Sequence, residues 1–94
     1  MKPVLVSQAA ARDVARLEDW LTQRSPKAAM RAGRLLRKAF ASLADLPERH
    51  AVIDEIQHRQ LIQRFGQAAY VIRYVVRPDA VVVTGVWHSL EARL

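Results

Sequence analysis

Residues 59–88, RQLIQRFGQAAYVIRYVVRPDAVVVTGVWH, contain three runs of strand-like sequence. The runs are rich in Val, Ile and Tyr, which suit a pleated, half-buried surface, and turn residues separate them: RQLIQRF (59–65), AAYVIRYVVR (68–77) and AVVVTGVWH (80–88). Gly66-Gln67 suits a type II′ turn, whereas Pro78-Asp79 fits a type I turn better. The stretch therefore predicts a meander of two hairpins.

The two turns also predict the register of this meander. If each turn has two residues, Phe65 pairs with Ala68 and Arg77 pairs with Ala80. One face of the sheet then carries the bulky groups expected to meet the helices: Leu61, Phe65, Tyr70, Ile72, Tyr74, Val83 and Trp87. The other face is half apolar and half basic, and it carries Gln60, Ile62, Arg64, Val71, Arg73, Val75, Arg77, Val82, Thr84, Val86 and His88.

Ahead of the meander, the sequence predicts a short strand followed directly by a helix. Val4–Val6 form a brief apolar run that stops at Ser7, a residue suited to cap the helix over 8–24. Apolar side chains in that helix recur at spacings of four, three and four, which marks one buried face with Trp20 at its margin: Ala10, Val14, Leu17 and Leu21.

A second helix is predicted to restart at Ser25-Pro26 and to run to about Leu46, where Pro47 ends it. Its apolar stripe comprises Ala29, Ala32 or Gly33, Leu36, Phe40 and Leu43. So short a connection predicts an antiparallel helical hairpin. Residues 47–58 are mixed and polar, and they are expected to form a loop with at most a helical turn.

The predicted fold is therefore α+β, in the order β-α-α-β-β-β. The two-helix antiparallel hairpin packs on one face of a mostly antiparallel four-stranded sheet, to which the first strand contributes. A chain of 94 residues builds one core, so residues 1–94 are expected to form a single domain.

Composition narrows the classes of function. The net charge of +6 favours an acidic partner, either nucleic acid or an acidic protein segment, and the N-terminal half carries most of the excess, +5 against +1. The absence of Cys excludes disulfides and thiolate metal sites, and the three His residues are far apart, so neither a metal nor a cofactor is expected. The apolar runs are too short for a signal peptide or a membrane span, which predicts a cytoplasmic protein.

Two surfaces are predicted to bind a partner. Four cations at spacings of four, three and four form a basic stripe along the second helix: Lys27, Arg31, Arg34 and Lys38. The open sheet face carries five apolar side chains: Ile62, Val71, Val75, Val82 and Val86. Alternatively, the stripe is only a solvated helix face, and the sheet face is covered after a register slip or by the loop over 47–58.

Three motifs resemble the RelE/ParE superfamily of bacterial type II toxins: AARDVARLEDWL, FGQAAYVIRYVV and VWHSLEARL. The resemblance covers nearly the whole chain. It implies a toxin that arrests growth, serves plasmid stabilisation and is neutralised by a cognate antitoxin through an acidic, extended C-terminal segment. The stripe and the open sheet face are the expected antitoxin-binding surfaces.

The superfamily contains mRNA interferases, which cut ribosome-bound message, and ParE-like poisons of DNA gyrase. RelE-like members place an Arg after the Tyr of the third strand, where this sequence has Val71, and a second Arg near Leu90 followed by a Tyr, which this sequence lacks after Leu90. Substitutes for that catalytic set are available on one predicted face: Arg64, Arg73 and His88.

The terminal VWHSLEARL is more typical of ParE-like toxins, with His88 and Arg93 as residues that recognise the target and Trp87 as a core anchor. Gyrase poisoning is therefore favoured over mRNA cleavage. A third possibility is a non-catalytic nucleic-acid-binding module whose Arg residues contact phosphate. The aromatic residues of the meander argue against this possibility, because they are predicted to lie under the helices, where they cannot stack on bases.

Overall fold

The computed structural model describes residues 2–91 and has the predicted α+β architecture. Its elements in chain order are β1 (Val4–Val6), α1 (Gln8–Arg24), α2 (Pro26–Ser42), a 3₁₀ turn (Pro47–Arg49), β2 (Arg59–Phe65), β3 (Ala68–Val76) and β4 (Val81–His88). The sheet has the order β1-β4-β3-β2, in which only the β1–β4 pair is parallel. Within the described residues, no helix is long and apolar enough to cross a membrane.

Two serine caps set the helical hairpin. The Ser7 hydroxyl accepts the amide of Ala10 at 3.1 Å and begins α1. Ser25 ends α1 by donating its amide to Leu21 at 2.7 Å, and its hydroxyl accepts the amide of Ala28 at 3.2 Å to begin α2. One residue thus serves both helices, and the predicted starts of both are confirmed.

The predicted end of α2 at about Leu46 is wrong, because the helix ends at Ser42. Leu46 takes a left-handed conformation with φ of 51°. A residue that precedes proline is disfavoured in the right-handed helical region, so Leu46 cannot continue the helix into Pro47. Already after Ser42 the chain tightens into turns with bonds between residues three apart, as from Leu43 to Phe40.

The predicted two-residue length of both turns is confirmed, and so is the predicted type of the first. Phe65 pairs with Ala68, and Gly66 between them has a φ of 61° while Gln67 does not enter the positive region, as a type II′ turn requires. At the second turn the amide of Arg77 donates to the carbonyl of Ala80 at 2.8 Å.

A β-bulge in β4 changes the faces predicted beyond the second turn. Tyr74 pairs with Val83 but Arg73 pairs with Gly85, so Thr84 is an extra residue in β4. Every side chain after Thr84 therefore lies on the opposite face from the one that strict alternation predicts.

The predicted faces of the last three β4 residues are wrong for this reason. Val86 and His88 point toward the helices and are 0% and 8% exposed. Trp87, predicted as a core anchor, lies on the open face, where the guanidinium of Arg73 is 4.9 Å from its ring.

The core lies between the helices and one face of the sheet. The sheet contributes fully buried side chains, among them both tyrosines: Tyr70, Ile72, Tyr74, Val81, Val83 and Val86. The helices and the residue directly after α2 add leucines and alanines: Ala10, Leu17, Leu21, Ala32, Leu36, Ala39 and Leu43. The Tyr74 hydroxyl donates to the carbonyl of Pro47 at 2.6 Å, and the ring of His50 packs edge-on against Tyr74. The start of the 47–58 segment is therefore held on the helix-facing side, away from the open face.

Candidate functional site

The basic stripe on α2 is solvent-exposed, as the spacing predicts. All four of its cations are exposed, and none forms an ion pair within residues 2–91: Lys27, Arg31, Arg34 and Lys38. Since no neighbouring carboxylate neutralises them, the stripe presents four positive charges to an incoming partner.

A groove between the two helices adjoins this stripe. It encloses about 440 Å³, with apolar side chains from α2 on one wall and cationic and polar groups at its edges: Glu18, Thr22, Pro26, Ala29, Met30, Gly33, Arg34 and Arg37. Met30 is 64% exposed at this groove although it is apolar. The helical hairpin thus offers an apolar groove with arginines along it.

The open sheet face keeps part of its predicted apolar patch. Ile62 is 53% exposed, and Val71 and Val82 are half-buried. Two residues of the predicted set are not available there: Val75 is only 7% exposed, and Val86 is fully buried on the helix-facing side. The patch is therefore smaller than predicted.

The Arg73 side chain lies across the open face and contacts both neighbouring strands. Its guanidinium stacks on Trp87 of β4 and donates from Nη2 to Gln60 Oε1 of β2 at 3.0 Å, while its Nε is buried without a hydrogen-bond partner. Arg64 lies on the same face and is exposed. The two arginines thus share a surface, as predicted.

His88 does not share that surface, which contradicts the predicted grouping of Arg64, Arg73 and His88. Its ring lies on the helix-facing side, edge-on to Tyr70 with ring centroids 5.5 Å apart. The Nδ1 atom accepts the amide of Leu90 at 3.1 Å, so the neutral ring carries its proton on Nε2. Arg93, the other residue predicted to recognise the target, lies outside the described residues.

Sequence reasoning missed a network of side chains along the free edge of β4. Because β1 stops at Val6, β4 has no strand neighbour on that side beyond Val83. The carboxylate of Asp13 accepts the amide of Val86 at 2.9 Å, and that of Glu91 accepts the amide of His88 at 2.7 Å. These two carboxylates satisfy backbone donors that a longer β1 would otherwise have paired.

Arg16 joins the two carboxylates. It donates from Nη1 to Asp13 at 2.7 Å and from Nε and Nη2 to Glu91 at 3.2 Å. Hydrogen bonds to Asp13, and then to Glu91, raise the pKa of the Arg16 guanidinium above its usual value. The one signal in the sequence was the position of Asp13, a carboxylate within the apolar face of α1 between Ala10 and Leu17.

Comparisons with known proteins agree on one family. A family model described as "ParE toxin of type II toxin-antitoxin system, parDE" matches residues 4–93. The chain is similar to Toxin RelE1 of Caulobacter vibrioides (strain ATCC 19089 / CIP 103742 / CB 15), with 47% identity over 90 residues and 96% of each chain covered. Toxin RelE3 of the same strain is 41% identical over 96 residues, covering 99% of this chain and 100% of the relative.

A solved structure supports the fold. It is described as "Chromosomal ParDE TA system from P. aeruginosa", and it matches this chain with a TM-score of 0.74 over 92% of this chain and 94% of the other. Because the identity is only 16%, that likeness concerns the fold alone.

Proposed function

Because the chain belongs to the ParE toxin family of type II toxin–antitoxin systems, we propose that it arrests growth by poisoning DNA gyrase through protein contacts rather than by cleaving mRNA. The names of its relatives leave the target open, since the family model carries the ParE name and the two similar curated toxins carry the RelE name.

The position of His88 is the observation that supports gyrase over mRNA. Acid–base cleavage of a phosphodiester needs a proton donor, a proton acceptor and a cation around one phosphate. Arg64 and Arg73 lie on the open face, whereas His88 lies on the helix-facing side of the same sheet. A phosphate bound by the arginines is therefore separated from the imidazole by the sheet itself.

The contacts of Arg73 and His88 also argue against acid–base cleavage. Arg73 is engaged by Trp87 and Gln60, and the Nδ1 atom of His88 is engaged by the amide of Leu90. Both groups are occupied with contacts inside the fold. A toxin that acts by binding another protein needs no such acid–base set.

We further propose that a cognate antitoxin neutralises the toxin by binding along α2 and the open sheet face. The basic stripe complements an acidic segment, and the groove beside it takes the apolar side chains of that segment. Ile62, Val71 and Val82 extend the apolar contact on the sheet, whereas the buried Val75 and Val86 do not take part.

Supercoiling by purified gyrase and translation of a reporter message, each titrated with purified toxin, test the target. We expect the toxin to inhibit supercoiling, the antitoxin to relieve the inhibition, and translation to continue with the message intact. Cleaved ribosome-bound message with unimpaired supercoiling would instead assign the mRNA interferase activity. Salt-sensitive binding to DNA alone, with neither effect, would assign a nucleic-acid-binding module.

A further inference from the structure

A second concave surface lies where α1 meets the residues that follow β4. It encloses about 230 Å³, and we call it the Trp20 corner. Six residues line it: Arg16, Leu17, Trp20, His88, Leu90 and Glu91. A cavity of about 150 Å³ in an apolar core accepts benzene, so this space is large enough for one aromatic or branched aliphatic side chain.

The apolar side chains at its mouth are exposed. Trp20 is 45% exposed and Leu90 is 81% exposed. Leu90 buries little of its surface, and nearly half of Trp20 stays exposed although its ring packs against Arg24 and His88. Packing within the chain therefore does not account for the apolar surface left in water at this corner. Exposed tryptophan beside an apolar pocket is typical of the residues that contribute most to a protein interface.

The corner is held in shape rather than left loose. The amide of Leu90 donates to His88 Nδ1 at 3.1 Å, and the carboxylate of Glu91 accepts the amide of His88 at 2.7 Å. Arg16 then anchors Glu91 to α1 at 3.2 Å. These bonds hold the backbone of residues 88–91, so a partner that binds the Leu90 side chain loses less entropy in ordering this segment.

The charge at the rim favours an acidic occupant. The guanidinium of Arg24 lies 3.9 Å from the centre of the Trp20 ring and donates to the Trp20 carbonyl at 3.0 Å. Within residues 2–91 it forms no ion pair, whereas Arg16 is neutralised by Asp13 and Glu91. A carboxylate beside an inserted apolar side chain would therefore meet an uncompensated positive charge at Arg24.

The corner is also separate from the surface assigned to the antitoxin. Arg16 and Trp20 lie on the flank of α1 that faces the end of β4, whereas Glu18 and Thr22 line the groove with α2 on the other flank. Two partners that approach the two flanks of α1 would meet different side chains.

From this geometry we propose that the Trp20 corner binds the toxin's protein target, taking one large apolar side chain of an acidic segment between Trp20 and Leu90. The assignment rests on the proposed function, because it requires a target that is a protein. It adds which part of the toxin the target contacts and the chemistry of the segment that binds there.

Charged substitutions at the rim test this assignment. Leu90→Asp places a carboxylate where the apolar side chain of the target would lie, and Arg24→Glu reverses the charge at the rim. Ile56→Asp is the matched control, since Ile56 is 72% exposed on the loop before β2. Each variant is measured for growth arrest on induction, for inhibition of purified gyrase and for affinity to the antitoxin.

We expect Leu90→Asp and Arg24→Glu to abolish growth arrest and to raise the toxin concentration that half-inhibits gyrase by about tenfold or more, as loss of an interface anchor does. Antitoxin affinity should stay within about twofold of wild type, and Ile56→Asp should behave as wild type throughout. Unfolding curves of the three variants verify that each one folds.

Undiminished growth arrest by Leu90→Asp and Arg24→Glu would overturn the assignment. So would a loss of antitoxin affinity in these two variants but not in Ile56→Asp, because the corner would then belong to the antitoxin. If wild-type toxin leaves gyrase active while the two variants still lose growth arrest, gyrase is the wrong target and the Trp20 corner still binds the true one.

Discussion

The carboxylate of Asp13 in α1 accepts the backbone amide of Val86 in β4 at 2.9 Å, across 73 positions of sequence. This bond joins the first helix to the last strand at the point where β1 is too short to pair with β4. Since Asp13 also binds Arg16 at 2.7 Å, one buried carboxylate holds a strand edge and the arginine that anchors the chain after β4.

Asp13→Ala is expected to lower the free energy of unfolding by about 2–3 kcal/mol, because it leaves the buried amide of Val86 without an acceptor. Asp13→Asn should cost less, since its side-chain carbonyl can still accept that amide. Denaturant unfolding measures both, with Asp19→Ala as the control on an exposed position of the same helix. An equal loss in the Asp19 variant would show that the bond to Val86 is not the cause.

Because of His50, we expect the free energy of unfolding to fall in mild acid. Burial, with help from the nearby Arg49 and Arg59, lowers the pKa of its imidazole below the ordinary 6.5. As the pH falls through 6.5, the unfolded chain therefore takes up the proton first, and the free energy of unfolding declines until the pH reaches the lowered pKa of the folded state.

His50→Phe should remove this component while keeping an aromatic ring against Tyr74. Unfolding measured from pH 7.5 to pH 5 should fall less steeply in the variant than in the wild type. Parallel curves for the two proteins would contradict the role assigned to His50.

Reversal of two charges in the basic stripe should weaken antitoxin binding. Arg31→Glu with Arg34→Glu is expected to raise the dissociation constant by about 10- to 100-fold and to reduce its dependence on salt. The matched control is Arg12→Glu with Arg49→Glu, which makes the same change of net charge at exposed positions outside both the stripe and the open sheet face. Calorimetric titration distinguishes the pairs, and equal losses in both would reduce the stripe to a general charge effect.

Alanine is expected to have opposite effects at Gly33 and Gly66. A Cβ on Gly33 in α2 would meet only the end of the Arg37 side chain, at 3.4 Å, so Gly33→Ala should stabilise the helix by about 0.5–1 kcal/mol. Gly66 has a φ of 61° in its turn, so Gly66→Ala should destabilise by about 1 kcal/mol. Thermal unfolding of both variants gives the two signs, and a shared sign would contradict the backbone argument.

Replacement of Arg64 distinguishes gyrase poisoning from RNA cleavage. It is exposed on the open face, where a phosphate would be bound if the protein cut RNA. If the toxin acts through protein contacts at the Trp20 corner, Arg64→Ala leaves growth arrest unchanged, whereas Arg24→Glu, which changes that corner, abolishes it. A loss of toxicity in a folded Arg64→Ala protein would favour the nuclease mechanism.

Local signals in the sequence were enough for most of the fold. Ser7, Ser25 and Gly66 each act within a few residues through their own hydroxyl or backbone, and the helix starts and the first hairpin follow from them. The period-two pattern likewise placed all three strands of the meander.

The errors came from features that depend on distant residues. The extra residue Thr84 is a bulge relative to β3. The isolated Gly85 beside it is a recognised signal for a bulge, but only the pairing with β3 shows on which residue the alternation breaks. Because the prediction did not include this bulge, it placed Val86, Trp87 and His88 on the wrong faces. It therefore grouped His88 with two arginines from which the sheet separates it. The Asp13–Val86 bond was likewise invisible without the packing of α1 on β4, although a carboxylate on an apolar helix face was its signal.

Trapping of cleaved DNA tests whether the toxin poisons gyrase. Purified gyrase and supercoiled plasmid are incubated with the toxin, then treated with detergent and protease, and linear DNA is quantified. We predict that linear DNA accumulates with toxin concentration and disappears when the antitoxin is added first. Gyrase poisoning would be contradicted if the plasmid stayed supercoiled and uncut at every toxin concentration while the same preparation cleaved mRNA on ribosomes.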